Sequence, residues 1–262
     1  MLLSHAEQIS TRLGLLVVGE ATSAESQPRC DLRLRQSVRR STLRRHLEDA
    51  MVAARQGAAV IVIRYGLEQL FADQEHDWVS DTIAPVLAWV PGTTRSKASQ
   101  PFRFAVDHVV PGKARAVHID LTWELPLLER LVPGVEAHAR RLRDGRTAQR
   151  EHVTELAAYG LTFVAISTLM PGRRVKTMRK GSAPDILFDV TPGALRGVEA
   201  AGRATGGRGA LLMVRDGMAS GSKARTRNGK VSELRARRDI AEVHLSLWCA
   251  SPRVSMMEQV KP

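Results

Sequence analysis

Two carboxylates in the last third of the chain give the strongest chemical signal. The segment KGSAPDILFDVTPGALRGVEAAGR runs from Lys180 to Arg203. Asp185 follows a proline at the opening of one apolar run, and Glu199 lies in the middle of the next. The short Pro192-Gly193 turn between these runs predicts neighbouring strands, which place the two acids side by side at a sheet edge. Two carboxylates converging there can hold Mg²⁺, a hard cation that takes oxygen ligands and keeps several waters. A metal held in this way can activate a water and neutralise a phosphate during hydrolysis. Taken singly, Asp185 also fits a turn residue after proline, and Glu199 fits a strand-edge acid paired with an arginine. Asp189 shares a strand face with Asp185 and reads first as a solvated acid.

The elements that must position these acids follow in a clear order. A helix is predicted over 147–170, with Val153, Leu156, Ala157, Gly160, Phe163 and Val164 as its apolar stripe. Pro171-Gly172 stops it. Strands are predicted over 174–178, 186–190 and 197–203, with one more over 209–217. A helix over 231–249 and a last strand over 254–260 complete an α-β-β-β-(β)-α-β order.

With Pro184-Asp185 and Glu199 placed as they are, this order resembles the PD-(D/E)xK, or restriction-endonuclease-like, nuclease superfamily. The resemblance covers about residues 147–262. It implies an α-β-β-β-α-β core with Asp185 on the second strand and Glu199 on the third, both as ligands of Mg²⁺ or Mn²⁺. It further implies Glu155, on the preceding helix, as an outer ligand; an ordinary helical ion pair suits Glu155 equally. One departure matters. The family's lysine falls at position 201, where this chain has Ala201. That lysine orients the attacking water and stabilises charge building on the phosphate. Arg203, two residues on along the same strand face, is the first candidate to replace it, and Lys180, in the turn before Asp185, is the second. Arginine is a poor general base but clamps phosphate well.

Two functions follow from these residues. The first is a Mg²⁺-dependent phosphodiesterase, a nuclease acting on DNA, for which family analogy alone suggests restriction, phage defence or repair. The alternative is a catalytically inactive nuclease-like scaffold that binds nucleic acid or docks into a larger protein assembly, and Ala201 is the feature that favours it.

The remaining sequence sets the frame. The 262 residues suffice for one large domain or two modest ones. Residues 1–145 read as a smaller α/β domain with no assigned role, and 146–262 as the nuclease-like domain. In the first part, strands are predicted over 15–18 and 58–64 around a helix over 37–56. A loop follows over 91–101. FRFAVDHVV and ARAVHIDLTW then alternate about a Pro111-Gly112 turn, as a hairpin does. A basic helical segment lies between Pro133-Gly134 and Asp144-Gly145.

A net charge of +12 attracts polyanions, nucleic acid first. A solvated surface is the plainer source of that charge, as for Arg39, Arg40, Arg44 and Arg45, which lie off the apolar face of their helix. Aromatic residues make up only 4% of the chain, which favours phosphate contact over base stacking. Cys30 and Cys249 form no CxxC pair, which argues against structural zinc and fits a reducing cytoplasm. The opening MLLSHAEQIS lacks the build of a signal peptide, and the longest uncharged stretch, 156–172, is too short to span a bilayer. GMASGSKA fails the phosphate-loop pattern. GRATGGRG reads as a flexible turn that can still touch phosphate through backbone N–H groups and Arg208. His118 with Asp120, and His152 with Glu155, read as ordinary polar pairs.

Overall fold

The computed structural model describes residues 60–91, 99–145, 148–179, 181–218 and 227–262. The strand expected over 15–18, the helix over 37–56 with its arginines, Cys30, Lys180 and most of the 91–101 loop lie outside them.

The first strand, β1 (Ile61–Gly66), leads into two short helices, α1 (Leu70–Asp73) and α2 (His76–Trp89). Strict alternation then makes β2 (Phe102–Val110), which buries Phe102, Phe104 and Val106 on one face. Gly112 adopts φ 73°, a turn conformation that costs glycine no Cβ clash. The chain returns as β3 (Lys113–Thr122), antiparallel to β2, with Phe104 opposite Ile119. Helices α3 (Leu125–Leu131) and α4 (Val135–Arg143) follow, and α4 ends in exposed arginines.

The long helix α5 (Arg150–Leu169) is buried along most of its length. Gly160 lets it approach α2 closely: a Cβ there would lie 2.6 Å from a Val86 methyl. Next come β4 (Thr177–Met178), β5 (Ile186–Asp189) and β6 (Leu195–Thr205), then α6 (Gly207–Asp216) and the small β7 (Gly217–Met218) and β8 (Arg227–Asn228) pair. The chain closes with α7 (Lys230–Ala236), β9 (Ile240–Ser251) and β10 (Val254–Lys261).

Eight strands form one mixed sheet in the order β1-β3-β2-β10-β9-β6-β5-β4. At its far end β4, β5 and β6 pair antiparallel, whereas β6 and β9 run parallel with α6 and α7 in the crossover between them. Among the described residues the chain is thus mixed α/β, with seven helices about this sheet. The boundary expected near residue 145 falls between α4 and α5, and β2 pairs in parallel with β10 across it. All described residues belong to one compact unit, residues 49–262. No helix among them is long and apolar enough to cross a membrane.

Apolar clusters cover the two faces of the sheet. One gathers α2, α5 and residues such as Phe104, Val198, Ala200 and Trp248. The other gathers Leu187, Leu211, Leu234, Val243, Leu245 and Leu247 under α6 and α7. β5, β6, β9 and β10 supply both clusters by alternation, and β1, β2 and β3 supply the first alone.

Three sequence expectations are corrected. Residues 209–217 are helical, not a strand: Gly207, Leu211 and Arg215 recur at four-residue spacing and form the buried face of α6. The helix expected over 231–249 is a short helix followed by a long strand. Val243, Leu245, Leu247 and Cys249 fill one sheet face, and His244, Ser246 and Trp248 fill the other. Only Thr177–Met178 of the strand expected over 174–178 pairs, because β5 offers it a short ladder.

The β5–β6 contact is unusually close, since a Cβ on Gly197 would lie 2.1 Å from the Ile186 carbonyl oxygen. Gly197→Ala is therefore expected to lower stability by about 1–3 kcal/mol through overpacking. Gly209→Ala, in open space on α6, should raise it by about 0.5–1 kcal/mol. Urea denaturation of both variants checks this, and equal midpoints would contradict the observed packing.

Candidate active site

The sheet edge aligns three residues in a row. The β4–β5 register pairs Met178 with Ile186, and the Arg179 N–H donates to the Asp185 carbonyl at 2.7 Å, so Arg179 lies opposite Asp185. The β5–β6 register pairs Ile186 with Val198, which sets Asp185 opposite Glu199. β5 begins only at Ile186, so the backbone N–H of Ala200 is left without a strand partner. The Asp185 carboxylate takes its place, its Oδ2 accepting that N–H at 3.0 Å.

Glu199 is 2% exposed. A carboxylate so buried needs a partner, because isolating its charge from water costs several kcal/mol. That partner is Lys230, whose ammonium donates to Glu199 Oε1. Lys230 is the first residue of α7, and it reaches β6 because Gly229 lets the chain pass hard against the end of α6. A Cβ on Gly229 would lie 2.2–2.4 Å from the backbone of Arg215, Asp216 and Gly217. The end of α6 is itself fixed: the buried Arg215 guanidinium donates to both Glu258 oxygens on β10, at 2.5 and 2.8 Å, and to Asp216 at 2.5 Å.

The electrostatics follow from this crowding. Burial pushes the Asp185 carboxyl up to about 7, the neighbouring Glu199 charge and side chain add to the rise, and the Ala200 N–H and Lys230 oppose it. Burial works against the Lys230 charge, but the bond to Glu199 and the charges of Glu199 and Asp185 outweigh it and raise its pKa. The lysine therefore stays an ammonium at neutral pH.

Glu199 Oε2 is buried and has no donor. A buried carboxylate oxygen without a donor, beside a second carboxyl whose pKa is raised, fits a hard cation: oxygen donors are in place and a positive charge would displace the Asp185 proton. No group of three or more His, Cys, Asp or Glu side chains is gathered for a metal among the described residues. Asp185 and Glu199 would accordingly hold such an ion as a pair, with waters completing its shell.

The other expected residues lie as follows. Glu155 is on α5, which covers the opposite face of β6: a Cβ on Gly202 would lie 2.7 Å from the Thr154 carbonyl. Glu155 accepts from Tyr159 Oη at 3.0 Å and has His152 at 3.9 Å. Burial first, then the charges of Asp185 and Glu155, push the Tyr159 hydroxyl up. Arg203 lies on the strand face of Glu199 and Ala201 but at the exposed end of β6. Asp189 accepts the Thr191 N–H and hydroxyl at 3.0 and 2.7 Å, a local turn. Asp120 is engaged by Arg103 at 2.6 and 2.7 Å.

Sequence reasoning missed Lys230. Its residue type was visible after Asn228-Gly229, but nothing local tells that the start of α7 meets the middle of β6. Comparison of the chain with protein-family models, curated proteins and solved structures gives no match.

The raised Asp185 pKa carries a sign for stability. The folded chain holds this proton while the unfolded chain releases it, so stability falls as pH climbs from the ordinary carboxylate value to about 7. Asp185→Asn removes that penalty. It should be more stable than the parent by on the order of 1–2 kcal/mol at about pH 8, less than the full linkage value because Asp185 interacts strongly with its charged neighbours. The gap should shrink towards about pH 4. Thermal melts in metal-free buffer check this, and a gap constant with pH would contradict it.

Proposed function

We propose that this chain is a Mg²⁺- or Mn²⁺-dependent phosphodiesterase that cuts nucleic acid, with DNA as the first substrate to test. The observation that carries the reading is the convergence of Asp185, Glu199 and Lys230 from β5, β6 and α7. The strand order supports it. The PD-(D/E)xK resemblance implies the order α-β-β-β-α-β, and α5, β4–β6, α6–α7 and β9 follow that order, with β4–β6 antiparallel and β9 parallel to β6. The net charge of +12 suits a polyanionic substrate.

In this reading Asp185 and Glu199 hold the ion, which supplies Lewis acidity and a bound water of lowered pKa. Lys230 does the work that position 201 leaves undone. Its ammonium, oriented by Glu199, faces the same site and offsets negative charge as it grows on the phosphate. Because its pKa is raised, it acts as a fixed charge and not as a base. The Ala200 N–H holds the Asp185 carboxylate in the plane of the strand. Arg203 takes a lesser part at the end of β6. Lys230 supports the active reading over the inactive scaffold that Ala201 favours.

A plasmid-nicking assay with Mg²⁺ or Mn²⁺ tests the reading. Asp185→Ala and Glu199→Ala should abolish cleavage. Lys230→Met should lower kcat by roughly 10²–10³ with little change in DNA affinity, as for loss of one transition-state charge partner. Arg203→Ala should cost less. Ala201→Lys introduced into Lys230→Met should recover part of the rate. Cleavage should accelerate as pH rises through about 7, where Asp185 releases its proton to solvent and its carboxylate would be free to hold the ion. Absence of cleavage by the parent and by all these variants would leave the nucleic-acid-binding or docking scaffold as the function.

A further inference from the structure

The row across the sheet edge does not end at Asp185. Arg179 stands opposite it on β4, one strand nearer the edge, at a strand spacing of about 5 Å. Its guanidinium is oriented by a neutral group: Nε and Nη2 donate to Ser182 Oγ at 3.1 and 2.8 Å. A hydroxyl fixes the plane of the guanidinium and leaves its charge uncompensated. Arg237, just beyond α7, approaches from above the same face. It donates through Nε and Nη2 to Asp239 at 2.7 and 2.5 Å, and the Glu199 charge acts on it. Asp239 also lies in the field of Arg179. Arg179, in the row of Asp185 and Glu199, and Arg237, at the end of the helix that Lys230 opens, thus flank the Asp185–Glu199–Lys230 site on the sheet face that α7 covers. In each, Nη1 is the nitrogen outside its fork, a donor pair available to an oxyanion.

We infer that Arg179 and Arg237 form a second phosphate subsite, which binds a phosphate of the nucleic-acid strand neighbouring the one held at Asp185, Glu199 and Lys230. The inference rests on the phosphodiesterase reading for the identity of the first phosphate. The subsite sets which substrates the site accepts: a strand with phosphates on both sides of the cut engages it, and an isolated diester does not. Asp239 holds the Arg237 fork in place.

Two measurements test this on the full chain. The first is fluorescence anisotropy of a labelled DNA duplex without divalent metal, over a salt series. Arg179→Ala and Arg237→Ala should each weaken binding about tenfold or more and lower the salt slope by about one. Arg174→Ala, which removes the same charge from an exposed arginine bonded to the Ala72 carbonyl, should weaken it far less. The second compares kcat/KM for DNA with that for bis(p-nitrophenyl) phosphate, a diester with no neighbouring phosphate. Both subsite variants should lose much more on DNA than on the small diester. Arg179→Lys and Arg237→Lys should recover part of the DNA loss, and thermal melts establish that each variant is folded. Equal losses for Arg174→Ala and the subsite variants, or equal losses on the two substrates, would overturn the subsite. If the parent hydrolyses neither substrate, the phosphodiesterase reading fails, and the anisotropy series alone still decides whether Arg179 and Arg237 hold phosphate.

Discussion

The Glu199 charge, held in the middle of a buried strand, is the constraint on which the surrounding structure depends. A carboxylate in that position is costly unless a positive charge meets it. Strand β6 alone cannot provide one, because position 201, the next residue on that face, is alanine packed into the apolar cluster beneath α6 and α7. The charge comes instead from the start of α7. That requires α7 to begin almost in contact with the end of α6, which only glycine at 229 permits. It also requires the end of α6 to stay in place, which the buried Arg215–Glu258 fork provides. A single buried charge thus accounts for a glycine, an ion pair and a crossover that otherwise look unrelated.

The part of the site that local rules govern was legible in the sequence. Asp185 and Glu199 flank a short turn, so their side-by-side placement follows from hairpin geometry and the period of two along each strand. Lys230 was not legible, because its approach to β6 is set by how two crossover helices pack and not by anything within a few residues of it. Arg179 was overlooked for a milder reason. The strand that sets it opposite Asp185 has only two paired residues, too few for a periodic signal.

The fold shows the same division. The β2–β3 hairpin declares itself through clean alternation, since one face of each strand is apolar. β9 is central in the sheet and buried on both faces. Its interleaved His244, Ser246 and Trp248 blur the period of two carried by Val243, Leu245, Leu247 and Cys249 and let a helical reading compete. Those polar groups are satisfied inside the protein: Ser246 accepts from Thr162 and Trp248, both at 2.8 Å, and His244 meets Glu242 at 3.0 Å, which Arg173 also engages. The pairing of β10 with β2, which joins the two halves of the chain into one sheet, links residues far apart in sequence and leaves no local trace.

Ala201 and Lys230 also make a case of epistasis. A lysine at 201 would have to thread its stem through the apolar cluster that includes Leu187, Leu211 and Leu234 and deliver its ammonium to a carboxylate that Lys230 already engages. While Lys230 is present, a lysine placed at 201 adds a second cation and crowds α7. If Lys230 is lost first, the buried acid stands unpaired until a replacement arrives. Neither order is smooth, so the two positions exchange together or not at all. The small residue at 201 and the lysine at 230 are thereby coupled, each limiting what the other can become.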